Sequence, residues 1–291
     1  MLKEAAPKEA GDVRFVLLHY HFFKNAGTTI EEILAHSFFE NYARLDTEDF
    51  DGAVSREELV SFLSRHPGMK AVSSHQFRYP VPQVPGCIFF DLCFLRDPID
   101  RIRSMYDYFR EKPVPGEPAS DLAREQSIGG YIAGLVKHHT YRVSNVQVNL
   151  LANGIVNDPP VETDLIRATQ VMLKTSFLGV VDCFHESLVA GQYFLRPVFP
   201  NLALAQQPAN VSGASRMETF RKACDAEIYA ELVRLNALDM ELVNRARAEV
   251  HRRFAMVPDG PARLRELGEA VESRTSTSSQ TGFAADWSPN P

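Results

Sequence analysis

What this sequence is short of narrows it first. Its 291 residues include only four cysteines and one tryptophan. The cysteines, at 87, 93, 183 and 224, form neither a C-x-x-C pair nor a metal-ligand spacing, which excludes a disulfide framework and a cysteine zinc module. A basic excess is also missing: 31 Lys and Arg face 37 Asp and Glu, for a net charge of −6. Nucleic-acid binding driven by bulk charge is therefore excluded, and an anionic ligand has to be held by a local pocket. No apolar run approaches the roughly 18 residues that span a bilayer, because His or Asp interrupts the best candidates at 13–23 and 87–95. Residues 1–12 are polar and lack the apolar stretch of a secretory signal. A soluble, cytoplasmic protein is expected.

What is present alternates between strands and helices. The segment 14–23 is short, apolar and rich in aromatic residues, and it runs into K-N-A-G-T-T (24–29), after which Ile30, Ile33 and Leu34 take helical spacing. Glu31 and Glu32 are expected in that helix's first turn. A capping box, Ser55 with Glu58, opens a second helix that stops before His66-Pro-Gly68. Strands are expected at 70–75 and 87–95, the latter feeding Arg96 and a helix capped by Asp97 with Pro98 in its first position. Helices are expected at 121–137, 143–152, 161–173, 183–195 and 225–254, with a short strand at 177–181. This order predicts an α/β fold of P-loop type: a mostly parallel sheet flanked by helices, in a single domain with a helix-rich C-terminal half. Residues 1–12 are expected to be a polar extension, 13–256 the domain, and 257–291 a C-terminal extension, disordered from about 272.

Two strand-to-helix junctions carry chemistry. The loop at 24–29 offers backbone N–H groups, a helix N-terminus, the Lys24 ammonium and the Thr28 and Thr29 hydroxyls, a set suited to phosphate or sulfate. It is not a Walker A loop, because Lys24 precedes Gly27 instead of following a second glycine. The same residues also suit an ordinary turn and cap. Arg96 stands where ligands of open α/β sheets bind, and Ser104 lies two turns into the following helix; alternatively Arg96 only pairs with Asp97 or Asp100. Two such junctions suggest a ligand with two separated anionic groups.

In these residues the sequence resembles the sulfotransferase superfamily, in the branch that includes heparan sulfate 2-O-sulfotransferases and bacterial family-2 relatives. H-F-F-K-N-A-G-T-T (21–29) is similar to the family's 5′-phosphosulfate loop, and F-L-R-D-P-I-D-R-I-R-S-M-Y (94–106) to its 3′-phosphate motif. Weaker likenesses are Asn145 with Gln147, the strand at 177–181, the segment 210–216 and the helix around 235–242. The resemblance implies transfer of a sulfuryl group from 3′-phosphoadenosine 5′-phosphosulfate (PAPS) to an acceptor hydroxyl on a glycan or small molecule, with no metal required. Lys24, Asn25, Ala26, Gly27, Thr28, Thr29, Arg96, Ser104 and Arg216 would hold the donor, Lys24 would neutralise the leaving oxygen, and His75 would be the base. His75 also ends a strand at the loop's edge of the sheet, and His is the usual base near neutral pH. His21 is expected to pack or orient the loop, and His138 and His139 to sit as charges at a helix end. Gln76, Arg78 and Tyr79 would touch the acceptor or pack a loop. A P-loop kinase or hydrolase, or a non-catalytic nucleotide-binding protein, are the alternatives.

Overall fold

The computed structural model describes residues 13–47, 52–152, 158–203 and 214–278. The expectations for 1–12, 210–213 and 279–291 lie outside them. Five strands form one parallel sheet: β1 (Arg14–Tyr20), β2 (Tyr42–Arg44), β3 (Ala71–Ser74), β4 (Cys87–Leu95) and β5 (Phe177–Val180), in the order β2-β3-β1-β4-β5. Central β1 is buried from Val16 onward, as a strand covered on both faces must be. Its side chains alternate between two cores. Val16, Leu18 and Tyr20 meet one set of helices: α2 (Arg56–Arg65), α6 (Val146–Ala152), α7 (Glu162–Lys174) and α11 (Ala237–Ala255). Leu17 meets α1 (Gly27–Phe38) and α8 (Phe184–Leu195) on the other face.

A third core gathers α3 (Pro98–Glu111), α4 (Pro118–Glu125), α5 (Ile128–His138), α9 (Ala214–Ala223) and α10 (Ala226–Leu235). The α/β single domain is as expected; several boundaries are not. The strand predicted to reach 23 stops at Tyr20, because Phe22 N–H turns back to the Tyr20 carbonyl. The helix predicted over 121–137 is two, since the Ser127 hydroxyl caps a new start. The long helix over 225–254 breaks at Asn236. Beyond it, α12 (Gly260–Ser278) packs Leu264 and Leu267 near Val189 and Ala190, so helix occupies the start of the stretch expected to be disordered. No helix among the described residues is long and apolar enough to cross a membrane.

Helices α6 and α11 cap each other across the chain. Asn145 Oδ1 accepts from the N–H groups of Leu238 and Asp239, both at 3.0 Å. The Asp239 carboxylate accepts in turn from the N–H groups of Gln147 (3.0 Å) and Val148 (2.8 Å). Asn145 holds φ of 45°, a left-handed conformation that Asn tolerates better than most residues. Asn145→Gly should therefore cost about 1 kcal/mol for the lost cap, and Asn145→Ala about 2 kcal/mol because backbone strain is added. Urea unfolding checks the order; equal costs would contradict it.

Candidate active site

The chain leaves β1 towards β2 and β3 but leaves β4 towards β5, so the connections diverge between β1 and β4. A crevice at the carboxyl ends of strands forms at such a switch point. Two loops meet there, 21–26 after β1 and 96–97 after β4. The first is tightly wound: Lys24 and Ala26 have φ of 65° and 62°. Gly27 is required by contact, since a Cβ there would overlap the His21 imidazole. Ala26 is the N-cap of α1 and has no side-chain acceptor, and the first turn carries no acid. The helix thus starts earlier than expected, which moves Glu31 and Glu32 into its second turn, and the Ala26 side chain offers the leading N–H groups no acceptor.

Lys24 stands beside this terminus. Its ammonium lies 4.4 Å from the Tyr108 ring centroid and 5.8 Å from that of Phe23. Among the described residues no carboxylate pairs with it. Burial first, then the Arg96 and Lys112 charges, lower its pKa from 10.5 to about 8, against the opposing pull of Glu111 and Asp107. The charge is thus half-buried over aromatic rings, with Glu111 and Asp107 acting on it only at a distance.

The other loop residues brace this arrangement. Asn25 spends its backbone N–H on the Phe22 carbonyl, and its side-chain Nδ2 donates to Phe94 O and Gln147 Oε1, both at 2.8 Å. Asn25, expected among the ligand-binding groups, is a buried loop anchor. Gln147 Oε1 also accepts from the Arg96 N–H at 2.9 Å, and Gln147 Nε2 donates to the Arg96 carbonyl at 2.9 Å and to Asp239. One side chain thereby ties the β1 loop, the β4 exit and α11. The Arg96 guanidinium is buried: it pairs with Asp100 at 2.6 Å and donates to the Lys24 carbonyl at 2.9 Å. Pairing with Asp100, weighed from sequence as an alternative to ligand binding, is present, and the contact to Lys24 adds a link between the loops.

His75 follows β3 at the same edge. Its backbone N–H donates to Asp46 Oδ1 at 2.9 Å. Its Nδ1 lies 2.9 Å from the His21 carbonyl, and because a carbonyl only accepts, Nδ1 carries the proton and Nε2 keeps its lone pair. Burial first, then the His21 charge, lower the His75 pKa to about 4, although Asp46 and Glu31 pull it upward. The ring is neutral at physiological pH. The His21 ring lies 3.8 Å away, and its Nδ1 is 3.0 Å from Glu31 Oε1. Donor atoms of His19, His21 and Glu31 fall within 4.8 Å of one another, a spacing that could hold a metal ion. Glu31 Oε1 is already engaged by His21 and lies 3.4 Å from the Arg44 guanidinium.

The remaining expected residues divide. Ser104 and Thr29 are buried and Thr28 is exposed. Arg216 is exposed in the first turn of α9, not in a loop, and with Arg103, Ile128, Thr219, Phe220 and Ala223 it lines a cavity of about 230 Å³. Gln76 and Tyr79 are buried and bonded to Thr47 N–H and Asp91, so they pack the loop instead of facing an acceptor. The Arg78 guanidinium donates to the carbonyls of His75 and Phe77, which also serves the loop. Sequence reasoning missed Tyr108, Arg44 and Asp46. Tyr108 was findable one turn beyond Ser104; Arg44 sits on a three-residue strand too short to show a pattern.

In comparison with known proteins, no family model matches the chain. It is 27% identical over 243 residues to an uncharacterized protein of Archaeoglobus fulgidus, covering 79% of this chain and 94% of that protein. Among solved structures it is similar to mouse sulfotransferase SULT7A1 complexed with PAP, at 13% identity and a TM-score of 0.34 over 89% of this chain and 90% of the other.

Removing the Gln147 amide strands several buried partners at once. Gln147→Ala should therefore destabilise the protein by about 3 kcal/mol in urea unfolding, and a loss below about 1 kcal/mol would contradict the bracing role. The histidines give a pH signature. Burial first, then neighbouring His21, lower the pKa of both His19 and His75 below 6.5. The unfolded chain then binds more protons than the fold below that pH, so stability is intact above 6.5 and is lost as pH falls through about 4. Thermal unfolding between pH 7.5 and 4.5 should show the decline, and His75→Gln should flatten it; an unchanged slope would refute the assignment.

Proposed function

We propose that this chain is a sulfotransferase that moves a sulfuryl group from PAPS to an acceptor hydroxyl on a carbohydrate. The observation that carries the proposal is the Lys24 ammonium, half-buried over the Tyr108 ring in the loop that leads into α1 and paired with no carboxylate among the described residues. That is a site for a compact anion, and its place at the strand switch point suits a nucleotide. The 5′-phosphosulfate would lie against Lys24, the Gly27 and Thr28 N–H groups and the threonine hydroxyls. The 3′-phosphate would lie at Arg96 and Ser104, with Arg96 pre-oriented by Asp100 and the Lys24 carbonyl. Arg103 and Arg216 line the adjoining cavity.

Transfer is an in-line displacement. The acceptor oxygen attacks sulfur while His75 Nε2 takes its proton. The bond from sulfur to the 5′-phosphate oxygen breaks, and that oxygen leaves with the electron pair against the Lys24 charge, by analogy with phosphoryl transfer. A bound anion beside His75 raises its pKa towards the working range of a base.

Isothermal titration with 3′-phosphoadenosine 5′-phosphate tests the donor site. Binding should be at least about tenfold tighter than that of AMP, and Lys24→Ala should remove about tenfold or more. Because free Lys24 loses its proton above about pH 8, affinity should weaken as pH rises from 8 to 10, with proton uptake on binding. Equal affinity for AMP, or no binding, would overturn the proposal.

A further inference from the structure

The proposed base is held by a second layer centred on one guanidinium. Arg44, on the edge strand β2, lies 3.4 Å from Glu31 Oε1 through Nε and 3.1 Å from Asp46 Oδ2 through its NH2 group. Each carboxylate holds one histidine, Glu31 by the ring of His21 and Asp46 by the backbone of His75. Glu31, on α1, bonds His21 Nδ1 at 3.0 Å. Asp46 Oδ1 accepts from the His75 backbone N–H at 2.9 Å and from the Ser74 hydroxyl at 3.1 Å. The two rings lie 3.8 Å apart, and the His21 carbonyl accepts the His75 Nδ1 proton. A closed loop results: Arg44, Glu31, His21, His75, Asp46 and back to Arg44. Its members come from α1, β2 and the segments after β1, β2 and β3, so no single element sets the geometry.

We propose that Arg44 is a positioning residue that, through Glu31 and Asp46, keeps the His21 and His75 rings in register and holds the His75 Nε2 edge ready to receive a proton. This deepens the sulfotransferase proposal, since it matters for catalysis only if His75 is the base. The charged and titratable groups around His75 are His19 and His21 on and after β1, Glu31 on α1, Tyr42 and Arg44 on β2, and Asp46 and Arg78 on the flanking loops. Among these, Arg44 and His21 disfavour the protonated ring while Asp46 and Glu31 favour it. Arg44 therefore balances two carboxylates that would otherwise act on the ring unopposed.

The test is NMR of full-length protein with 15N-labelled histidine, followed by pH titration. In the parent chain His75 should hold its proton on Nδ1 and titrate near 4. Arg44→Met should raise that titration by on the order of one pH unit and mix the two tautomers, while Arg44→Lys should restore most of the shift. Should Arg44→Met not fold, Asp46→Asn serves instead and should move the titration downward. An unchanged His75 titration and tautomer in either variant would overturn the positioning role. Affinity for 3′-phosphoadenosine 5′-phosphate should stay within about twofold in the Arg44 variants, and a larger loss would place Arg44 in donor binding instead. The base assignment fails separately: sulfuryl transfer from labelled PAPS to host-extract acceptors that survives His75→Ala would sink it without touching the NMR result.

Discussion

A half-buried cation that no carboxylate among the described residues pairs with is the constraint on which the rest of this structure depends. Lys24 is drawn out of water at the turn after β1, and its charge rests on the faces of Tyr108 and Phe23 instead of on a carboxylate. Burial disfavours that charge, and Arg96 and Lys112 disfavour it further, which is why the pKa falls to about 8. Such a cost persists only where the surrounding structure holds the residue in place. Here the backbone is locked with Lys24 and Ala26 in left-handed conformations and Gly27 pressed against His21.

The locking is indirect and shared. Gln147 bonds Asn25 on one loop and Arg96 on the other, and Asp239 fixes Gln147 from α11. Arg96 then reaches back to the Lys24 carbonyl. These are buried polar groups with partners, so losing one strands the others, and the network specifies a single loop geometry more than it adds stability. The parallel sheet supplies the rest: β1 and β4 exit side by side with connections that diverge, so the two loops must meet.

Much of this was legible in the residues, for identifiable reasons. The alternation of short apolar strands with 3.6-period helices predicted the α/β fold, and the Ser55 and Asp97 caps placed two helix starts that the structure shares. Lys24, Gly27 and His75 stood out because their chemistry and their position at strand ends coincide. What escaped was set by contacts distant in sequence. The break at Asn236 goes with a cap in which Asn145 Oδ1 accepts from the Leu238 and Asp239 N–H groups, β2 has only three residues, and the inward turn of Asn25 depends on Gln147, 122 positions away. No local pattern encodes such contacts. Arg96 shows a subtler limit: sequence offered an anion-facing residue or a partner for an acid, and the structure shows the acid partner together with a bond that ties the loop, which local sequence does not encode.

The most direct test of the account is the titration of the Lys24 side chain itself, followed by NMR on 13C-labelled lysine. Free protein should give a pKa of about 8, and saturation with 3′-phosphoadenosine 5′-phosphate should return it to 10 or above, about the value of an ordinary lysine. A free-protein value already near 10.5, unmoved by the nucleotide, would mean that Lys24 is a solvated surface charge and that no anion site is built around it.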